Sequence, residues 1–178
     1  MNITIVRHGE TDDNVDGIIQ GRLNTPLNDK GRIECKFSRK KIRTIDYDIC
    51  FSSPLFRSME TAMILVGEDT LIEKDERLID RDMGEYTGEL KETFDIKKYW
   101  DYDLNCTENG VEGIKEFYSR TESFLNYLKE NYSNKNILIV THEMNVVALT
   151  TLIQKKDLTT KDLYFNVKNC DNKTFKMD

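Results

Sequence analysis

Histidine is nearly missing from this chain, with two residues in 178, His8 and His142. Proline is as scarce, also two, and no Ser/Gly-rich linker or internal repeat interrupts the sequence. Residues 1–178 therefore read as a single domain, a length that one hydrophobic core accommodates. An excess of positive charge is missing too. Lys and Arg number 26 against 32 Asp and Glu, a formal balance of −6. That argues against nucleic acid as a partner, because binding a phosphate backbone needs a basic face. A small anionic ligand needs only a local arginine cluster and stays open. Long apolar runs are absent. ILIV at 137–140 is far too short to span a bilayer, and the opening MNITIV lacks the layout of a signal peptide, so no membrane association is expected. The four cysteines, Cys35, Cys50, Cys106 and Cys170, form no C-x-x-C pair and no metal-ligand spacing. They read as reduced thiols of a cytoplasmic protein.

What is present is an alternation of two periodicities. NITIV near the N-terminus, YDICFSS at 47–53 and ILIVT at 137–141 read as short buried strands, with weaker strand candidates in LIEK at 71–74, FNVK at 165–168 and KTFK at 173–176. Between them lie helical patterns. Residues 30–45 place Ile33, Phe37, Ile42 and Ile45 roughly on one side. The run from Ser53 begins with a capping serine and a proline at the first helical position. Residues 111–132 carry Val111, Ile114, Phe117, Thr121, Phe124, Leu128 and Tyr132 at amphipathic spacing, and a last helix after Thr141 uses Val146, Leu149 and Ile153. Strands alternating with helices indicate an α/β layered fold with a largely parallel sheet.

In such sheets ligands bind beyond the carboxyl ends of the strands. RHGET, SSPLFR and THEMN each follow a predicted strand, which carries Arg7, His8, Arg57 and His142 toward one edge. Two guanidinium groups can clamp a phosphate through paired charge-assisted hydrogen bonds, and the adjacent helix N-termini add donors. His8 could attack phosphorus through one ring nitrogen while a carbonyl on the other fixes its tautomer. Neighbouring cations would keep it neutral, and His142 could donate to the phosphoryl oxygens as charge shifts. A carboxylic acid is still needed for the leaving oxygen. His8, His142 and Asp80 could alternatively hold a metal, although no local His spacing supports that.

These segments together resemble the histidine phosphatase superfamily, also called the phosphoglycerate mutase-like family, over nearly the whole chain. Arg7-His8-Gly9-Glu10-Thr11 with Asn14 is similar to its opening motif. Gln20-Gly21, Thr25-Pro26-Leu27 and Gly31 resemble the next block, and Ser52-Ser53-Pro54-Leu55 with Arg57, Thr61 and Ala62 the helix bearing the second arginine. Leu78, Asp80, Gly84 and Gly88 resemble the block that holds the acid, Gly110-Val111-Glu112 a later one, and Val140-Thr141-His142 the second histidine. The resemblance implies a three-layer α/β/α sandwich and a metal-independent, cofactor-free phosphohistidine mechanism. His8 would be the nucleophile, Asp80 the acid, and Arg7, Arg57, Asn14 and His142 the phosphate ligands, with Thr11, Gln20 and Gly21 contacting substrate.

Three positions depart from the pattern. Asp80 stands where many members have Glu, with Glu10, Asp82 and Glu85 nearby as substitutes. Glu143 replaces a glycine after the second histidine and is expected to face outward, favoured there by the helix dipole. Leu23 and Asn24 occupy a region where members often carry Asp. The short stretch between Gly88 and Gly110 is the only obvious lid material, and its Lys91, Lys97, Lys98, Tyr99, Trp100 and Tyr102 could touch a substrate's non-reacting part. A phosphatase acting on a small phosphorylated metabolite, as monomer or homodimer, is therefore expected. A phosphoglycerate mutase-type phosphotransferase and a catalytically weak phospho-ligand-binding protein are the alternatives.

Overall fold

Alternation along the strands decides the layers. On β1 (Asn2–Arg7), Ile3 and Ile5 pack with Phe51, Ile137 and Ile139 in one apolar cluster, while Val6 joins Cys50, Leu138 and Val140 in another. Strands buried on both faces read as unbroken apolar runs, which is why ILIVT shows no polar alternation. The computed structural model describes residues 1–42, 46–67, 70–160 and 163–177. Its other strands are β2 (Ile49–Ser52), β3 (Ile72–Lys74), β4 (Asn136–Thr141) and β5 (Asn172–Lys176). They form one sheet in the order β3-β2-β4-β1-β5. The first four run parallel and β5 runs antiparallel to β1 at the edge.

The helices are α1 (Asp12–Asp16), α2 (Asp29–Ile42), α3 (Phe56–Val66), α4 (Ile96–Tyr99), α5 (Ile114–Asn131) and α6 (Glu143–Ile153). Helices α5 and α6 cover one face of the sheet through Phe117, Phe124, Leu128, Val146 and Leu149. Helices α2 and α3 cover the other through Ile42, Ala62, Leu65 and Val66. The result is the expected three-layer α/β/α sandwich. Each large apolar side chain buried there contributes about 1.5–3 kcal/mol.

Three local expectations need correction. In α2, Ile33 and Phe37 are 53% and 62% exposed, and the buried positions are Gly31, Cys35 and Ile42. Gly31 decides this: a Cβ there would lie 2.2 Å from the Glu10 carbonyl oxygen, so the helix presses its glycine side against the loop after β1. Ile45 lies outside the described residues. Ser53 and Pro54 do not open α3, which starts at Phe56 after a Leu55 cap that makes no side-chain bond. The Ser53 hydroxyl is engaged elsewhere, as described below. FNVK forms no strand, and the C-terminal strand spans Asn172–Lys176 alone. The other elements lie within a few residues of their expected positions.

Candidate active site

The loops after β1, β2 and β4 do converge. His8 leaves β1 almost fully buried, and its Nδ1 lies 2.7 Å from the Gly9 carbonyl oxygen. A carbonyl only accepts, so Nδ1 carries the proton and Nε2 keeps its lone pair. Burial, helped by the charges of Arg57 and Arg7, holds the His8 pKa well below the usual imidazole range. The neutral form follows directly from that environment.

Arg57, on the first turn of α3, is fully buried. Its Nη1 and Nη2 donate to the carbonyls of Leu23 (2.6 Å) and Gly21 (2.8 Å), Nη2 also reaches Asp80 Oδ2 at 3.3 Å, and Nε donates to His142 Nδ1 at 3.2 Å. Since a guanidinium only donates, His142 Nδ1 accepts and its Nε2 carries the proton. That proton points to Ser53 Oγ, 2.8 Å away, with Ser58 Oγ at 3.4 Å. The two imidazoles meet edge to face, ring centroids 5.3 Å apart. Desolvation and the same arginines depress the His142 pKa as well.

Asp80 follows the turn after β3. Its Oδ1 accepts from the Arg81 amide at 2.9 Å. Burial raises its pKa despite the opposing pull of Arg57. Asp80 and Glu143 are the two carboxylates lining the cavity above His8. The substitutes considered from the sequence are elsewhere: Glu10 is bonded to Lys30 at 2.7 Å and Asp82 pairs with Arg22 at 3.3 Å. Among the described residues, no group of three or more His, Cys, Asp or Glu is arranged to hold a metal ion.

The cavity measures about 270 Å³. Arg7, His8, Asn14, Gln20, Gly21, Asp80, Lys91 and Glu143 form its polar lining, and Ile18, Ile19, Met83, Phe94, Ile96 and Met144 its apolar wall. Thr11 is not part of it. Its hydroxyl caps α1 by accepting from the Asn14 amide at 3.2 Å, and the Asn14 side chain returns the bond to the Thr11 amide. The structure thus uses Thr11 to hold Asn14. Gln20 Oε1 accepts from Thr25 at 2.6 Å, and Gly21 contributes its carbonyl to Arg57. Glu143 does not face outward: its Oε2 lies 2.7 Å from Arg7 Nη1. As the first residue of α6 it keeps the favourable dipole, and the guanidinium beside it offsets part of the cost of desolvating the carboxylate.

A sequence model of the histidine phosphatase superfamily, branch 1, matches residues 3–178. The chain belongs to that superfamily. Phosphoserine phosphatase 1 of Hydrogenobacter thermophilus is 25% identical over 182 residues, spanning 98% of this chain and 84% of the relative. The adenosylcobalamin/alpha-ribazole phosphatase of Salmonella typhi is 33% identical over 150 residues, 80% of this chain and 74% of the relative. The solved structure of Bacillus stearothermophilus YhfR superposes with a TM-score of 0.88 at 23% identity, over 99% of this chain and 91% of that one. This histidine phosphatase is a phosphatase of the phosphoglycerate mutase-like fold, and no helix among its described residues is long and apolar enough to cross a membrane.

Several groups around the site escaped the sequence reading. Ser53, a helix cap by its sequence, instead meets His142 Nε2. Asn169 Nδ2 donates to the His8 carbonyl at 3.0 Å and to Asn14 Oδ1 at 3.1 Å, and Val167 bonds both Arg7 and Glu143. A Ser at the end of β2, beside SSPLFR, was a usable signal for the first. The tail residues carried none, because only the pairing of β5 with β1 brings them there. Of the stretch after Gly88, Lys91 lines the cavity, while Lys98 is spent on Glu108 at 2.6 Å and Tyr99 stacks on Phe94.

Proposed function

We propose that this protein hydrolyses a small phosphomonoester through a phosphohistidine on His8. One observation carries the reading: His8, its Nε2 lone pair free, and Arg7, whose buried Nε makes no hydrogen bond, line the same cavity. A buried unpaired guanidinium nitrogen is costly, and a phosphoryl oxygen satisfies it.

In the first step the Nε2 lone pair forms an N–P bond while the P–O ester bond breaks, and the Asp80 carboxyl delivers its proton to the departing oxygen. The raised pKa of Asp80 suits that role, and a bound dianion pushes it further the same way. Arg7, Arg57 and Asn14 take the phosphoryl oxygens. His142, its Nδ1 taken by Arg57 and its Nε2 proton by Ser53, holds the Arg57 guanidinium in place. In the second step water attacks phosphorus, the N–P pair returns to Nε2, and Asp80 accepts the water proton.

The cavity is at the small end for ligand sites. That supports a small metabolite, as does the naming of relatives as phosphoserine and alpha-ribazole phosphatases. The test is phosphate release from a panel of phosphomonoesters in EDTA by wild type and His8→Ala. Turnover that persists with chelator and falls at least about a thousandfold in the variant supports the reading. Chelator-sensitive turnover, or activity surviving in His8→Ala, would sink it.

A further inference from the structure

Directly after the second histidine this chain places a carboxylate that is bonded into the candidate site. Glu143 Oε2 takes Arg7 Nη1 at 2.7 Å. Its Oε1 accepts from the Tyr164 hydroxyl at 2.9 Å and from the Val167 amide at 3.4 Å. The same Arg7 Nη1 donates to the Val167 carbonyl. One corner of the guanidinium is therefore consumed by the protein, while Nε of the same buried side chain donates to nothing. A planar fork held at one corner offers its remaining donors in a fixed direction.

Glu143 also changes the charge of the site. Arg7 and Lys91 line it as cations with Arg57 buried against Asp80, and Asp80 and Glu143 are its carboxylates. Without Glu143 the cations would outnumber carboxylates three to one. A phosphate dianion would then be held tightly as product, and product release limits turnover in many enzymes. Tyr164 stays a donor throughout, since burial and the adjacent carboxylate keep its phenol protonated.

We propose that Glu143 is a positioning residue. It fixes Arg7 by one corner so that the rest of the guanidinium serves the phosphoryl group, and its charge loosens the grip on the phosphate product. This deepens the phosphatase reading and rests on it.

Two substitutions separate the parts. Glu143→Gln keeps an acceptor for Tyr164 and removes the charge, whereas Glu143→Ala removes both. The readouts are inorganic phosphate binding by calorimetry, kcat and KM on one phosphomonoester, and the melting temperature without phosphate. Glu143→Gln should bind phosphate roughly tenfold more tightly and lower KM, the effect of deleting one charge a guanidinium's width away under strong screening. Glu143→Ala should lose roughly tenfold or more in kcat, whereas Glu143→Gln, which keeps the positioning, should retain only the part of that loss that slower phosphate release imposes. Phosphate binding within twofold of wild type in both variants would overturn the proposal. So would equal losses in kcat/KM tracking a fall in melting temperature, the mark of a purely structural tie. Wild type that neither hydrolyses the ester nor binds phosphate would sink the phosphatase reading itself, and this inference with it.

Discussion

Ser53 is a residue whose two possible jobs predict different phenotypes. As a helix cap, its loss would cost about 1 kcal/mol of stability and leave chemistry alone. As the group that receives the His142 Nε2 proton at 2.8 Å, it governs that ring's tautomer. Ser53→Ala should therefore reduce kcat by roughly tenfold with little change in KM, in line with losses seen when an orienting partner is removed, and stopped-flow or steady-state rates will read it. For Asp80 the contrast is between leaving groups. Asp80→Asn should cost far more on an alkyl phosphate than on an activated aryl phosphate, and equal losses would remove it as the acid. Its raised pKa also sets the sign of a pH effect: the protonated form is the donor, so kcat/KM on the alkyl ester should fall as pH rises through that value. The histidines act on stability. Both are depressed in the folded state, so the unfolded chain takes up more protons as pH falls below about 6.5. Their contribution is complete above that pH and is lost below it, which melting curves between pH 7.5 and 5 will show as a falling midpoint. At this scale the sequence was informative wherever a residue type has few uses. An Arg–His pair after a strand points to an anion; a glutamate at a helix start, like Glu143, can face either way, and only the position of Arg7 decides which.

Elements were legible to the extent that burial alone shapes them. The runs NITIV and ILIVT, and the spacing of Phe117, Phe124 and Leu128, marked β1, β4 and α5 because each buries a regular set of positions. Helix α2 was misread because its inward face is set by a contact that periodicity does not encode, the approach of Gly31 to the Glu10 backbone. Gly31→Ala should therefore cost more than an overpacked core methyl, about 2–3 kcal/mol, measurable by urea unfolding, with Ile33→Ser on the exposed face near neutral. The segment after Gly88 is anchored by backbone bonds, from Lys91 N to the Gly17 carbonyl and from Ile19 N to the Glu89 carbonyl. That places Lys91 in the lining of the cavity. Lys91→Ala should lower kcat/KM for carboxylate-bearing phosphomonoesters roughly tenfold more than for an uncharged aryl phosphate, as expected from one screened charge. A uniform loss across the panel would mean that Lys91 serves the phosphate alone.

At the scale of the molecule, the layered α/β architecture followed from alternating periods, whereas the strand order did not, because nothing local says which runs become neighbours. The consequence falls on β1, the strand that ends in Arg7 and His8. Its two partners are β4 and β5, with Asn2 opposite Asn136 and Val6 opposite Asn172. Residues 2–7 thus leave the ribosome well before the two strands that give them hydrogen-bond partners. Long-range pairing of this kind is slow to form, and until it forms an apolar strand with two open edges is a hazard for aggregation. Nascent chains stalled before β5 emerges should expose that strand to chaperone capture and to protease. Protection and phosphate binding should then arrive together, once β5 has emerged to pair with β1.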